Sequence, residues 1–417
     1  MSGGIVFIGD DFTGASDSLS TYARAGRATR LRLDPWQGES EGAVEVTGFA
    51  TDLRSRTPEE AVAVIGRLWP EVARLAPRIL HYKVCSTFDS APRVGSIGAA
   101  VAALSARFRP DVTAIIGGQP SLGRYCAFGT LFARGPDGAI HRIDRHPIMA
   151  RHPVTPMAEA DLARHLAAQG LTGVVGATLP ELGETHALAA RLRAGPVLFD
   201  ATGPGDQVRI GTALARAGGR QLIVGASSVA EILAPGTGRA TAPDPPTPPL
   251  PPPPPPPGRA VVIFAGSRSS VTARQVAAAT GFRRVPLDPA TLARGAPPVP
   301  AVQALAEGVP LLLHLLPEAA YDRGPGEIAD LAAALLARLC AGPAPGWLGL
   351  AGGDSSSRVV AGLGFSALEF VQPLAPGVAL CAARHPDPAR DGMRILLKGG
   401  QLGPDDLFDR FRGLAEG

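Results

Sequence analysis

A run of prolines between residues 239 and 258 constrains how this chain folds. Proline stands at 243, 245, 246, 248 and 249, and then at every position from Pro251 to Pro257. Proline gives no backbone N–H to a ladder and holds φ near about −65°, so such a run takes the polyproline II form and joins no core. It reads as a semi-rigid linker, with an SH3-type ligand as the other use of such a segment. The chain is thereby divided into residues 1–238 and 259–417. At 417 residues, 45% hydrophobic and 18% charged, it has material for a core on each side.

Upstream of the prolines, short apolar stretches alternate with amphipathic ones. The spacing predicts strands at Ile5–Ile8, Val44–Ala50, Ile79–Lys83, Val112–Ile116, Gly173–Gly176, Val197–Asp200 and Gln221–Gly225. Helices are expected over Asp17–Ala25, Thr57–Leu75, Gly95–Phe108 and Met157–Gln169. Downstream, strands are expected at Ala260–Phe264, Leu311–Leu315, Trp347–Leu350 and Ile395–Lys398. Helices there start near Ala273, cover Ile328–Cys340 and run to about Leu363. This alternation predicts an α/β fold of two domains, each a mainly parallel sheet flanked by helices. Ligands of such sheets bind outside the carboxyl ends of the strands.

Composition excludes several functions. A net charge of +3 is too small to argue for nucleic acid or a membrane surface. Aromatic residues, at 5%, are too few for base-stacking platforms. Cys85, Cys126, Cys340 and Cys381 are widely spaced, which fits neither a disulfide framework nor a zinc site. No signal segment or long apolar run is visible, so the expectation is a cytoplasmic enzyme. Lysine occurs only at Lys83 and Lys398 in a chain rich in arginine.

The opening strand runs into Gly9-Asp10-Asp11-Phe12-Thr13-Gly14-Ala15-Ser16. Two carboxylates at a strand end are placed to take a proton from a hydroxyl or to hold a cation; the alternative, a plain turn with one Asp as N-cap, needs only one acid and not the whole motif. Lys83 ends another strand just before Ser86 and Thr87, where a cation suits a carboxylate or a phosphoryl group. Arg124 follows a glycine-rich stretch, and His152 sits between prolines in Arg151-His152-Pro153-Val154-Thr155-Pro156. Downstream, three loops each follow an apolar strand: Gly266-Ser267-Arg268-Ser269, Gly352-Gly353-Asp354-Ser355 and Gly399-Gly400. Glycines that admit a ligand, beside hydroxyls, a lysine or a helix N-terminus, make a phosphate cradle. Neither a Walker P-loop nor a dinucleotide fingerprint is present.

Taken together, these motifs resemble the four-carbon acid sugar kinase family. The likeness rests on Gly9-Asp10-Asp11-Phe12-Thr13-Gly14-Ala15, on Lys83 with Ser86-Thr87, and on Gly123-Arg124. It extends through His152 to Met157, Gly266 to Thr272, Gly352 to Ser356 and Lys398 to Gly403, in order along nearly the whole chain. The resemblance implies a sugar-acid-binding domain (1–238), a linker (239–258) and a nucleotide-binding domain (259–417), with the active site in a cleft between domains. It implies ATP and Mg²⁺ as cofactors. Asp10 and Asp11 would contact substrate, one of them as base. Lys83, Ser86, Arg124 and His152 would line the acid pocket, and Ser267, Ser269, Gly352, Gly353, Asp354, Ser355 and Gly400 would hold ATP.

The family pattern has an Asp where this chain has Cys85 and an Arg where it has Asp89. That departure points away from plain threonate or erythronate and towards an oxo or branched acid such as 3-oxo-isoapionate. The residues alone leave open a non-catalytic metabolite sensor and, less well supported, a Rossmann-type oxidoreductase. The expected partners are the acid and ATP, without nucleic acid or membrane, and homo-oligomerisation is left open.

Overall fold

The computed structural model describes residues 4–33, 44–152, 154–234, 260–342 and 344–416, apart from the side chains of Pro325 and Asp354. The proline-rich linker 239–258 and Pro153 lie outside the described residues. The chain divides by compactness into two units. The first holds residues 1–10, 21–29 and 41–249; the second holds 11–20, 30–40 and 250–417.

In the first unit, parallel strands run in the order Val175–Ala177, Val197–Phe199, Val112–Ile116, Gln221–Gly225, Ile79–Lys83, Ile5–Gly9 and Val46–Ala50. Both faces are covered, which is why the strands read as continuous apolar runs. Ile115, Leu198 and Val224 enter one core; Ala114, Ile116, Phe199 and Ile223 enter the other. The helix Pro58–Arg74 shows how local sequence sets an element. Thr57 and Glu60 form a reciprocal capping box, Pro58 occupies the first turn, and Ala61, Ile65, Leu68 and Val72 form the buried stripe.

Some elements differ from the expectation. The helix after the opening strand starts at Phe12, not Asp17. The helix expected over Met157–Gln169 covers only Leu162–Ala167, because Asp161 caps it through Arg164 N. The glycine-rich stretch around Arg124 is an antiparallel meander: Gly118–Gln119, Arg124–Ala127, Thr130–Arg134 and Ile140–Arg142.

In the second unit, Arg283–Leu287, Leu311–Leu315, Val261–Ala265, Trp347–Ala351 and Arg394–Lys398 form the parallel part of a mixed sheet. An antiparallel hairpin, Ala367–Ala375 and Val378–Arg384, extends it, and residues 30–32 pair antiparallel with 367–369. The terminal helix Leu407–Glu416 packs Leu407, Phe408 and Phe411 onto Ile263, Leu312 and Leu396.

Candidate active site

The registers align the carboxyl ends of the first unit's strands. Gly9 lies opposite Ala50 and Lys83, Lys83 opposite Gly225, and Gly225 opposite Ile116. Every loop that leaves these strands therefore starts along one edge.

Asp10 is buried there, and its backbone N–H donates to Lys83 O at 3.0 Å. Arg54, in the loop after Val46–Ala50, holds the Asp10 carboxylate with two bonds: Nη2 to Oδ1 at 2.7 Å and Nε to Oδ2 at 3.1 Å. A bidentate guanidinium fixes both the charge and the plane of a carboxylate. Arg54 was not among the sequence candidates. Its only signal is its position four residues past a strand end, which an Arg-rich chain conceals.

Asp11 is used differently and belongs by compactness to the second unit. Its Oδ1 accepts from Gly14 N at 3.0 Å and its Oδ2 from Thr13 Oγ1 at 2.8 Å. It thus caps the helix Phe12–Arg24. Within that unit a Cβ added at Gly353 would lie 4.0 Å from Asp11 Oδ2 and 3.9 Å from Thr13 Oγ1. This brings the amino ends of the helices Phe12–Arg24 and Gly353–Gly362 close together.

Lys83 is 3% exposed, and among the described residues its ammonium makes no hydrogen bond and no ion pair. Two positions earlier on the strand, His81 is fully buried between Tyr22 Oη and Gly225 O. Burial pushes the His81 imidazole down to about 3, so it is neutral. Ser86 is buried in the turn beyond Lys83. Arg124 and His152 have local partners instead: Arg124 Nη1 donates to Leu122 O, and His152 Nδ1 accepts from Thr155 N at 3.1 Å. The Arg124 Nε is buried without a partner.

In the second unit, Ala265, Ala351 and Lys398 are in register, so the three glycine-rich loops leave adjacent strands at one edge. They converge on Ser267. A Cβ at Gly400 would fall 2.3 Å from Ser267 Oγ, and one at Gly352, where φ is +125°, 3.1 Å from Ser267 N. A Cβ at Gly266 would strike Ser355 Oγ at 2.5 Å. Ser269 caps the helix Ser270–Ala278 through Thr272 N and donates to Gly400 O. Gly353 and the Asp354 backbone open the helix Gly353–Gly362. Asp354's side chain is outside the described set.

Lys398 braces this cradle from beneath. Fully buried, it donates to Gln275 Oε1 at 2.7 Å, Thr272 Oγ1 at 2.9 Å and Gly400 O at 3.5 Å. Burial brings its ammonium down to about 8. Glycines packed to contact, backbone amides and a helix amino end suit a polyphosphate.

Residues 5–233 match the family described as a sugar-binding N-terminal domain, and residues 262–408 the family described as a nucleotide-binding C-terminal domain. A 3-oxo-isoapionate kinase of Paraburkholderia graminis is 35% identical, over 98% of this chain and 94% of its own. A 3-oxo-tetronate kinase of Methylobacterium radiotolerans is 32% identical, over 98% and 99%. Among solved structures, a Salmonella typhimurium LT2 protein provisionally named a tRNA synthase superposes with a TM-score of 0.75, at 25% identity over 97% of each chain.

Proposed function

This chain belongs to the four-carbon acid sugar kinase family, and from that membership we propose that it transfers the γ-phosphoryl group of ATP to a hydroxyl of a small sugar acid. The observation that carries this is the full-length likeness to kinases of 3-oxo sugar acids. The acid class proposed is a 3-oxo acid, with a branched one such as 3-oxo-isoapionate preferred. The 35% relative acts on that acid, and Cys85 and Asp89 alter the acid side of the site.

In this mechanism the acid lies at the first unit's strand edge. Lys83, buried and unpaired among the described residues, meets its carboxylate, with Ser86 beside it and Arg124 and His152 at the margin. ATP lies in the cradle of Ser267, Ser269, Gly352, Gly353, Asp354, Ser355 and Gly400. The substrate hydroxyl oxygen attacks the γ-phosphorus in line, the bond to the β-bridging oxygen breaks, and ADP leaves. The hydroxyl proton passes to one of the adjacent carboxylates, Asp10 or Asp11. Arg54 holds the Asp10 carboxylate in plane.

Mg²⁺ needs only one or two protein carboxylates when phosphates supply other ligands. Asp11, beside Gly353, is the carboxylate that would hold it. An ion held there would supply neutralisation of phosphate charge. Turnover requires the two bound ligands to be brought together. No helix among the described residues is long and apolar enough to cross a membrane, and a cytoplasmic site of action is proposed.

The test is ADP release with ATP and Mg²⁺ across four- and five-carbon sugar acids and their 3-oxo derivatives. Release with a 3-oxo acid, and little with threonate, is expected. Silence on every acid, with no stabilisation by ATP, would favour a sensor instead.

A further inference from the structure

We propose that Cys85 is a specificity-determining residue, held as a neutral thiol so that the Lys83 ammonium stays available to a substrate carboxylate; this rests on the function proposed above. The polarity of a short hydrogen-bond chain carries the argument. Thr87 has one hydroxyl proton, and it goes to Asp89 Oδ1 at 2.5 Å. In the 2.9 Å contact between Cys85 Sγ and Thr87 Oγ1, the thiol must therefore be the donor. The chain runs S–H to O–H to carboxylate, and it consumes the sulfur's proton away from Lys83.

The turn that sets this chain is rigid. Phe88 N donates to Cys85 O at 3.0 Å, closing the turn. Phe88 is fully buried with φ at +54°, a left-handed conformation that a bulky residue keeps only where its surroundings over-determine it. Those surroundings are Ser90 Oγ and His165 Nε2, which both donate to Phe88 O, at 2.9 and 3.1 Å. Cys85, Thr87 and Asp89 are thereby fixed before any ligand arrives.

Lys83, Arg54 and Asp89 all act electrostatically on the Cys85 sulfur. The family pattern accompanies its Asp here with an Arg where this chain has Asp89; without that Arg, a carboxylate at position 85 would pair with Lys83 and compete with the substrate's own carboxylate. A thiol does not. Burial, with Asp89 alongside, pushes it up to about 11, so it carries no charge at neutral pH.

The test compares Cys85→Asp with Cys85→Asn, which differ in charge at nearly equal size. Binding of erythronate and of a 3-oxo-tetronate is measured by calorimetry without ATP, with erythritol as the carboxylate-free control. Turnover is measured separately, so absent ADP release would count against the kinase function while leaving the binding comparison intact. Cys85→Asp is expected to weaken acid binding at least about tenfold and to raise the acid KM likewise, with kcat and the ATP KM within about threefold. Cys85→Asn and Cys85→Ser are expected to stay within about threefold of wild type. Should Cys85→Asp not fold, Cys85→Asp with Asp89→Asn keeps the carboxylate at position 85 without the repulsion, at the wild type's net charge, and is expected to weaken the acid likewise. Acid affinity within threefold of wild type in the aspartate variants, or equal weakening by Cys85→Asn, would overturn the proposal.

Discussion

The chain's two lysines occupy matching places and behave in opposite ways. Lys83 and Lys398 each end a parallel strand, and each is buried. Lys398 gives its protons to Gln275 and Thr272, on the helix Ser270–Ala278, and to Gly400 of the glycine-rich cradle. Lys83 has no hydrogen bond or ion pair among the described residues. A buried ammonium without a partner costs several kcal/mol in the absence of a ligand, about what an ion pair with a ligand can return. The difference fits Lys398 to the architecture of the nucleotide-binding unit and is consistent with the substrate role proposed for Lys83.

Removing either of the two adjacent carboxylates proposed for the reaction should give the largest effect. Asp10→Asn and Asp11→Asn are each expected to lower kcat by roughly a thousandfold or more while ATP still stabilises the protein, as read by steady-state kinetics and melting. Normal turnover in both would remove these residues from the reaction.

Stability should separate the lysines next. Lys398→Met leaves the buried Gln275 Oε1 without the donor it has in the wild type and should cost about 1–3 kcal/mol by denaturant titration. Lys83→Met removes an unpaired buried charge and should leave stability unchanged or raised. Equal losses in both variants would erase the distinction.

The smallest effects are the pH limbs. His81 lies on the Lys83 strand, and its pKa of about 3 is below the ordinary 6.5. Between those values the unfolded chain binds a proton that the native chain refuses. Stability should therefore fall as pH drops, by at most about 1.4 kcal/mol per pH unit, and His81→Gln should flatten that limb. Lys398 works at the alkaline end. Its value of about 8 lies below the ordinary 10.5. Stability should rise with pH across that interval, and Lys398→Met should abolish the rise.

The legible parts of the sequence were those where one local pattern decides. Ile79–Lys83, Val112–Ile116 and Leu311–Leu315 read correctly because apolar runs stop at a charge or a turn. The hairpin Ala367–Ala375 and Val378–Arg384 was not foreseen; its first strand carries two register shifts and Pro373, which blur alternation. Gly352 and Gly400 stand where close approach leaves room only for glycine, and such glycine-rich loops after apolar strands can be read from sequence. Arg54 cannot, because only the pairing of Ala50 with Gly9 carries it to Asp10. Asp11 looked like a second acid of a pair, and its capping of Phe12–Arg24 became visible only once that helix was seen to start at Phe12.

The most direct measurement is calorimetric titration of Lys83→Met and Lys398→Met with each ligand separately: a 3-oxo sugar acid, and Mg²⁺-ATP. The division of labour predicts that Lys83→Met loses the acid by roughly a hundredfold and binds ATP as wild type does, while Lys398→Met weakens ATP and spares the acid. Wild-type acid affinity in Lys83→Met would contradict it.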